Sequence, residues 1–157
     1  MQKTITKVAL AYIFDAQGRV LIAKRCQSKH MGGFWEFPGG KLELGESPVQ
    51  AIEREILEEL AIRVTGDAVL PSFVLPQSDD LLFFPIVCKW LGGDIVLLEH
   101  DEYRFVVPEN LAGDFLAQVS LADISLADVP LAKNSLAPAD VVAAQLLINF
   151  LRAKPEK

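Results

Sequence analysis

Apolar positions along this chain fall into short alternating runs broken by glycine, proline and aspartate, and only two stretches carry a helical period. Residues 4–15 and 19–25 read as two strands rich in β-branched side chains, joined by a turn at Asp15-Ala16-Gln17-Gly18. Residues 26–33 are polar, end in Gly32-Gly33 and read as a loop; residues 34–37 are short and aromatic, stopped by Pro38-Gly39-Gly40. Ser47 followed by Pro48 supplies a hydroxyl cap and then a proline at the first helical position, which predicts a helix running to about Leu60. Strands follow near residues 63–69, 72–75 and 81–90, with turns at Ser78-Asp79-Asp80 and Gly92-Gly93, and then at 95–98 and 103–107. Pro138 opens a second helix to about Ala153, with Val141, Val142, Gln145, Leu146, Asn149 and Phe150 tracing its faces. Strands, helix, strands, helix predicts the α+β class, a mixed α/β/α sandwich in one domain over residues 1–157.

One segment obeys neither period. A Leu-Ala pair recurs every five residues, at Leu111, Leu116, Leu121, Leu126, Leu131 and Leu136. Helical and strand faces repeat every 3.6 and 2 residues, so this pattern builds neither. It reads as a tandem duplication carried as a surface loop, around residues 116–135. A stub of pentapeptide β-helix is the alternative, but six pentads make too few stacked coils for a solenoid.

Composition narrows the function classes. Of 157 residues, 51% are hydrophobic, which fits a folded domain, and the apolar runs are strand-length, too short to span a membrane. The N-terminus enters strand-like alternation directly, with no signal-peptide pattern, and Cys26 and Cys88 have no metal-like spacing. Both read as free thiols of a cytoplasmic protein, with a single disulfide between them as the alternative. A net charge of −6, with no basic run longer than Lys24-Arg25, argues against a nucleic-acid polymer as partner. An acidic protein that handles phosphate has to bring positive charge locally.

The first helix shows how it could. At about 100° per residue, Val49, Ile52, Ile56 and Leu60 share one side, while Glu55, Glu58 and Glu59 occupy an adjoining arc. Three carboxylates within about one turn repel one another unless a cation sits among them. Arg54 precedes Glu58 by four residues and can pair with it. The Gly39-Gly40 turn allows close backbone approach, where a carbonyl can add an oxygen to a hard-metal site. A Glu-x-x-Glu-Glu stretch by itself is more often a solvated helix face.

Gly40, Glu46, Arg54-Glu55-Ile56, Glu58-Glu59 and Ile62 stand at the spacing of the Nudix signature, and the chain resembles the Nudix hydrolase family. The position that holds glycine in the signature is Ala61 here; if it requires positive φ, alanine costs about 1 kcal/mol. Arg25, His30-Met31 and Glu36-Phe37-Pro38-Gly39-Gly40-Lys41 extend the likeness to MutT-like nucleoside triphosphate pyrophosphohydrolases.

The resemblance implies a Nudix fold, with a mixed central sheet and two main helices. It implies Mg²⁺, with Mn²⁺ as an alternative, on Glu55, Glu58, Glu59, Glu99 and the Gly39 carbonyl, with Glu102 the second choice for the late carboxylate. Either Glu55 or Glu99 would take a proton from water, Arg54 would orient the carboxylates, and Glu46 would support the loop or an outer metal. Arg25 would contact phosphate, Lys41 would assist there, and Phe34, Trp35, Glu36, Phe37 and Pro38 would line the nucleotide pocket with His30 nearby. Asp140, after Pro138-Ala139, would read the base edge, although an acid there also suits the first turn of a helix. The Glu99–Asp140 gap is longer than the resemblance leads one to expect, by about the four pentads between Leu116 and Leu136. The implied partner is a small-molecule nucleoside triphosphate, such as 8-oxo-dGTP or a cytidine nucleotide, cleaved by a monomer or homodimer in sanitation of the nucleotide pool. An ADP-ribose or dinucleotide pyrophosphatase, and a non-catalytic regulatory Nudix domain, are the alternatives.

Overall fold

The computed structural model describes residues 3–111 and 136–154. Its elements are β1 (Thr6–Ile13), β2 (Val20–Arg25), β3 (Trp35–Glu36), β4 (Gly39–Lys41), α1 (Pro48–Leu60), β5 (Arg63–Val69), β6 (Phe73–Leu75), β7 (Ser78–Gly92), β8 (His100–Val106), a 3₁₀ turn at Pro108–Asn110, and α2 (Pro138–Ala153). One sheet runs β4-β1-β7-β5, with β6 also on β7; β1 and β7 are parallel and the other pairs antiparallel. A second sheet runs β3-β2-β8. The mixed-sheet, two-helix α+β expectation holds.

Alternation along β1 splits the core in two. Ala9, Ala11 and Ile13 pack with Ala51, Ile52, Ile56 and Leu60 of α1. Leu10 and Tyr12 face the other way, onto Val141, Ala144 and Leu147 of α2. The Tyr12 hydroxyl donates to the Ala143 carbonyl at 2.6 Å, which ties β1 to α2. Each helix therefore covers one face of the same sheet.

Two expectations need correction. Residues 95–98 alternate like a strand but form none: the Val96 and Leu98 N–H groups donate to the Leu60 and Glu59 carbonyls, both at 3.0 Å. The segment satisfies carbonyls that the end of α1 leaves open. The turn expected at Ser78-Asp79-Asp80 lies instead at Pro76-Gln77, because Leu75 pairs directly with Ser78 in a two-residue hairpin. The pentad insertion expected at 116–135 lies outside the described residues, flanked by the fully buried Leu111 and Leu136. Cys26 and Cys88 are free, and no described helix is long and apolar enough to cross a membrane.

Candidate active site

The site forms where α1 meets the open edge of β4. Ser47 caps α1 by accepting from the Gln50 N–H, and Gln50 Oε1 in turn accepts from the Ser47 N–H. The helix ends on Ala61 at φ +58°, so the position that is glycine in the signature is indeed left-handed. Burying Ile52, Ile56 and Leu60 sets the rotation of α1 and turns the carboxylates of Glu55 and Glu59 toward β4. Along β4, the Ala11 N–H donates to the Pro38 carbonyl and the Leu42 N–H to the Lys7 carbonyl, each at 2.9 Å. Antiparallel pairing alternates, so Gly39 and Lys41 turn their N–H and C=O groups outward. The Lys41 carbonyl accepts from Arg54 Nη2 at 3.1 Å, and the Gly39 N–H faces the Glu59 carboxylate.

Arg54 organises the acids. Its fork meets Glu46 through Nε (2.8 Å) and Nη2 (2.9 Å), while Nη1 reaches Glu55 at 3.0 Å and Glu58 at 3.2 Å. The i,i+4 pairing with Glu58 is present, but the bidentate bond goes to Glu46. Glu46 also accepts the Glu43 N–H at 2.7 Å, so Arg54 holds the loop before α1 in place. That Arg54 bond, then the Glu43 N–H, lowers the Glu46 pKa to about 2.

The other glutamates differ in burial. Glu59 is buried, and its Oε2 has no hydrogen-bond partner among the described residues. Burial first, then the charges of Glu36, Glu55 and Glu99, push its pKa up to about 9. Burial likewise raises Glu55, whose carboxylate lies where a side chain on Gly40 would be: a Cβ there would sit 2.4 Å from Glu55 Cδ. Glu99 is half exposed, with Lys29 Nζ at 3.5 Å. Among the described residues these acids, as they stand, do not converge into a ready-made ligand cluster.

Beside them opens a cavity of about 500 Å³. Arg25, His30, Met31, Glu36, Phe37, Gly39, Gly40, Lys41 and Asp140 line it, with Val8, Leu10, Leu75, Leu81 and Phe83 as apolar wall. Gly39 and Gly40 thus belong to the cavity and to the acidic edge at once. Asp140 is buried, and its Oδ1 accepts the Phe37 N–H at 2.8 Å. Burial, then the Glu36 charge, raises its pKa well above the usual carboxylate range. Met31 holds a left-handed φ of +58°, uncommon for such a side chain. Phe34, Trp35 and Pro38 do not line the cavity. Trp35 is buried in β3 under the Arg104 guanidinium, Phe34 is core, and Pro38 is buried in the link to β4.

The NUDIX domain profile matches residues 4–126. The chain belongs to the Nudix family. It is similar to the 8-oxo-dGTP diphosphatase of Proteus vulgaris, 44% identical over 92 residues that span 57% of this chain and 82% of that protein. It also resembles the CTP pyrophosphohydrolase of Escherichia coli K12, 45% identical over 56 residues, 36% of this chain and 42% of that one. The solution structure of the E. coli ORF135 protein aligns at a TM-score of 0.69 and 26% identity, covering 98% of this chain and 96% of the other.

This chain is therefore an enzyme, a Nudix hydrolase of the MutT type, and Nudix hydrolases work with a divalent cation. The residues present fit one. A buried Glu59 oxygen without a hydrogen-bond partner among the described residues, acted on by the charges of Glu36, Glu55 and Glu99, is the carboxylate chemistry a hard cation accepts.

Sequence reasoning missed His100. It is buried, and its Nε2 lies 3.0 Å from Glu36 Oε1. A histidine among Glu99, Asp101 and Glu102 gave no signal of its own; only the pairing of β8 with β2 brings it opposite Arg25.

Proposed function

We propose that this Nudix hydrolase cleaves a nucleoside triphosphate into the monophosphate and pyrophosphate. The observation that carries the reading is the shared Gly39-Gly40 wall, which sets a nucleotide-sized cavity against the acidic edge of α1. The likeness to an 8-oxo-dGTP diphosphatase and a CTP pyrophosphohydrolase supports it.

In this reading Glu55, Glu58, Glu59, Glu99 and the Gly39 carbonyl would hold Mg²⁺ (Mn²⁺ is the alternative), which would supply charge neutralisation at the phosphates and a more acidic water. Arg54 keeps Glu55 and Glu58 oriented. Glu55, seated against Gly40 at the cavity wall, is better placed than the half-exposed Glu99 to take the proton from water. Arg25 and Lys41 supply positive charge at the cavity wall. The apolar residues Leu10, Phe37 and Phe83 receive the base, and Asp140 reads its edge.

Asp140 also suggests which base. With Oδ1 taken by the Phe37 N–H and the proton favoured, its other oxygen can donate to an acceptor such as guanine O6. That favours a guanine nucleotide, oxidised or not, and the likeness to an 8-oxo-dGTP diphosphatase supports 8-oxo-dGTP among them. Ionised, Asp140 would accept from cytosine N4, which keeps cytidine nucleotides as the second reading, supported by the CTP pyrophosphohydrolase likeness. A soluble cytoplasmic monomer or homodimer fits this role. A pyrophosphate-release screen with Mg²⁺ over ordinary and oxidised nucleoside triphosphates, ADP-ribose and dinucleotides tests the reading. Release from a triphosphate is expected; turnover confined to ADP-ribose or dinucleotides would overturn it.

A further inference from the structure

Glu36 is gripped from two strands. Its Oε1 meets His100 Nε2 at 3.0 Å, and its Oε2 lies 3.4 Å from Arg25 Nη1. The backbone arranges this grip. Glu36 pairs with Ala23 across β3 and β2, and Arg25, two residues along, shares that face. Up to Lys24, paired with Glu102, the β2–β8 register is regular; it then shifts, so Arg25 pairs with His100 and Asp101 is the extra residue. This bulge brings His100 onto the face of Arg25 and Glu36. Asp101, freed from pairing, accepts the Gln27 N–H at 3.3 Å and anchors the loop that carries His30.

The His100 side chain is only 3% exposed, and its Nδ1 has no hydrogen-bond partner among the described residues. A carboxylate only accepts, so Nε2 carries the hydrogen and donates to Glu36. A buried imidazole held by one bond to one carboxylate has that carboxylate as its polar task. The Arg25–Glu36 contact, by contrast, is long, and Arg25 Nε is occupied by the His30 carbonyl at 2.6 Å.

We propose that His100 is a positioning residue for substrate binding: it holds Glu36 back from Arg25, so that the cavity keeps the Arg25 guanidinium available to the nucleotide. Without the Nε2–H donor, Glu36 turns fully onto Arg25, pairs with its fork and withdraws that positive charge from the ligand. The inference rests on reading the cavity as the nucleotide site.

His100→Asn keeps a polar side chain but falls short of Glu36, whereas the His100→Gln amide can reach it. Steady-state hydrolysis of 8-oxo-dGTP and CTP, and binding of 8-oxo-dGMP and CMP in EDTA followed by tryptophan fluorescence, give independent readouts. His100→Asn is expected to raise KM and weaken monophosphate binding about tenfold, with kcat changed much less. His100→Gln is expected to recover most of that loss, and in a Glu36→Ala background His100→Asn should have little further effect. Unchanged KM and binding in a folded His100→Asn protein, a loss confined to kcat, or an undiminished effect in the Glu36→Ala background would overturn the proposal. If His100→Asn does not fold, the same comparison is made with His100→Gln against wild type, where a tenfold loss of binding overturns it. A wild-type protein that neither binds nor cleaves these nucleotides would instead refute the reading of the cavity.

Discussion

A Cβ on Gly40 would lie 2.4 Å from the carboxyl carbon of Glu55. The glycine is thus required by a side chain on another element, since its backbone φ is not in the left-handed region. The same Cα borders the cavity, so substitution alters both the nucleotide wall and the seat of Glu55. Gly40→Ala is expected to fold and to lose turnover by about a hundredfold, because displacing a reacting group by about 1 Å has effects of that size. Steady-state kinetics beside thermal unfolding checks this; turnover within twofold of wild type would contradict it.

Ala61 carries the opposite substitution. It closes α1 in the left-handed region at φ +58°, with its N–H on the Leu57 carbonyl at 3.1 Å. Ala61→Gly is expected to stabilise the protein by about 1 kcal/mol, since glycine adopts that conformation without a Cβ penalty. Urea denaturation reads the change directly, with the midpoint moving upward.

Glu59 makes stability depend on pH in the metal-free protein. Its pKa rises on folding from 4.5 to about 9, so between those values the folded state keeps a proton that the unfolded state has released. Its contribution is full below about pH 4.5 and is lost as pH climbs toward 9. Glu59→Gln removes the titration. In EDTA, the difference in unfolding free energy between Glu59→Gln and wild type should grow in favour of the variant from pH 5 to pH 9. A pH-independent difference would show that Glu59 does not titrate in this window.

These residues also show what the sequence could and could not disclose. The ends of α1 and α2 were legible because Ser47-Pro48 and Pro138 are local signals, and β5 because alternation and its flanking turns coincide. Residues 95–98 misled because alternating apolar residues look alike whether they pair with a strand or dock on a helix end. The acids of α1 were legible from their spacing, as was the Arg54–Glu58 pair. The stronger Arg54–Glu46 fork spans a loop whose path no periodicity predicts. His100 was illegible for the same reason: its place opposite Arg25 depends on a bulge that shifts β8 against β2.

Asp140 tests the base-reading assignment. An asparagine amide in its place both donates and accepts without a titrating proton. Asp140→Asn is expected to shift the ratio of kcat/KM between 8-oxo-dGTP and CTP while leaving Mg²⁺ dependence in place. Its removal of a buried, raised acid should also flatten any pH dependence of that ratio. An unchanged nucleotide profile would remove Asp140 from base recognition.

In the proposed function the acidic edge of α1 turns over a nucleoside triphosphate with a divalent cation, and Glu59 is the buried acid of that edge. The most direct measurement is Mg²⁺-dependent pyrophosphate release by Glu59→Gln, with the nucleotide the wild type cleaves best. The predicted result is a protein at least as stable as wild type whose turnover falls by about a hundredfold or more. Full Mg²⁺-dependent turnover in that folded variant would contradict the account.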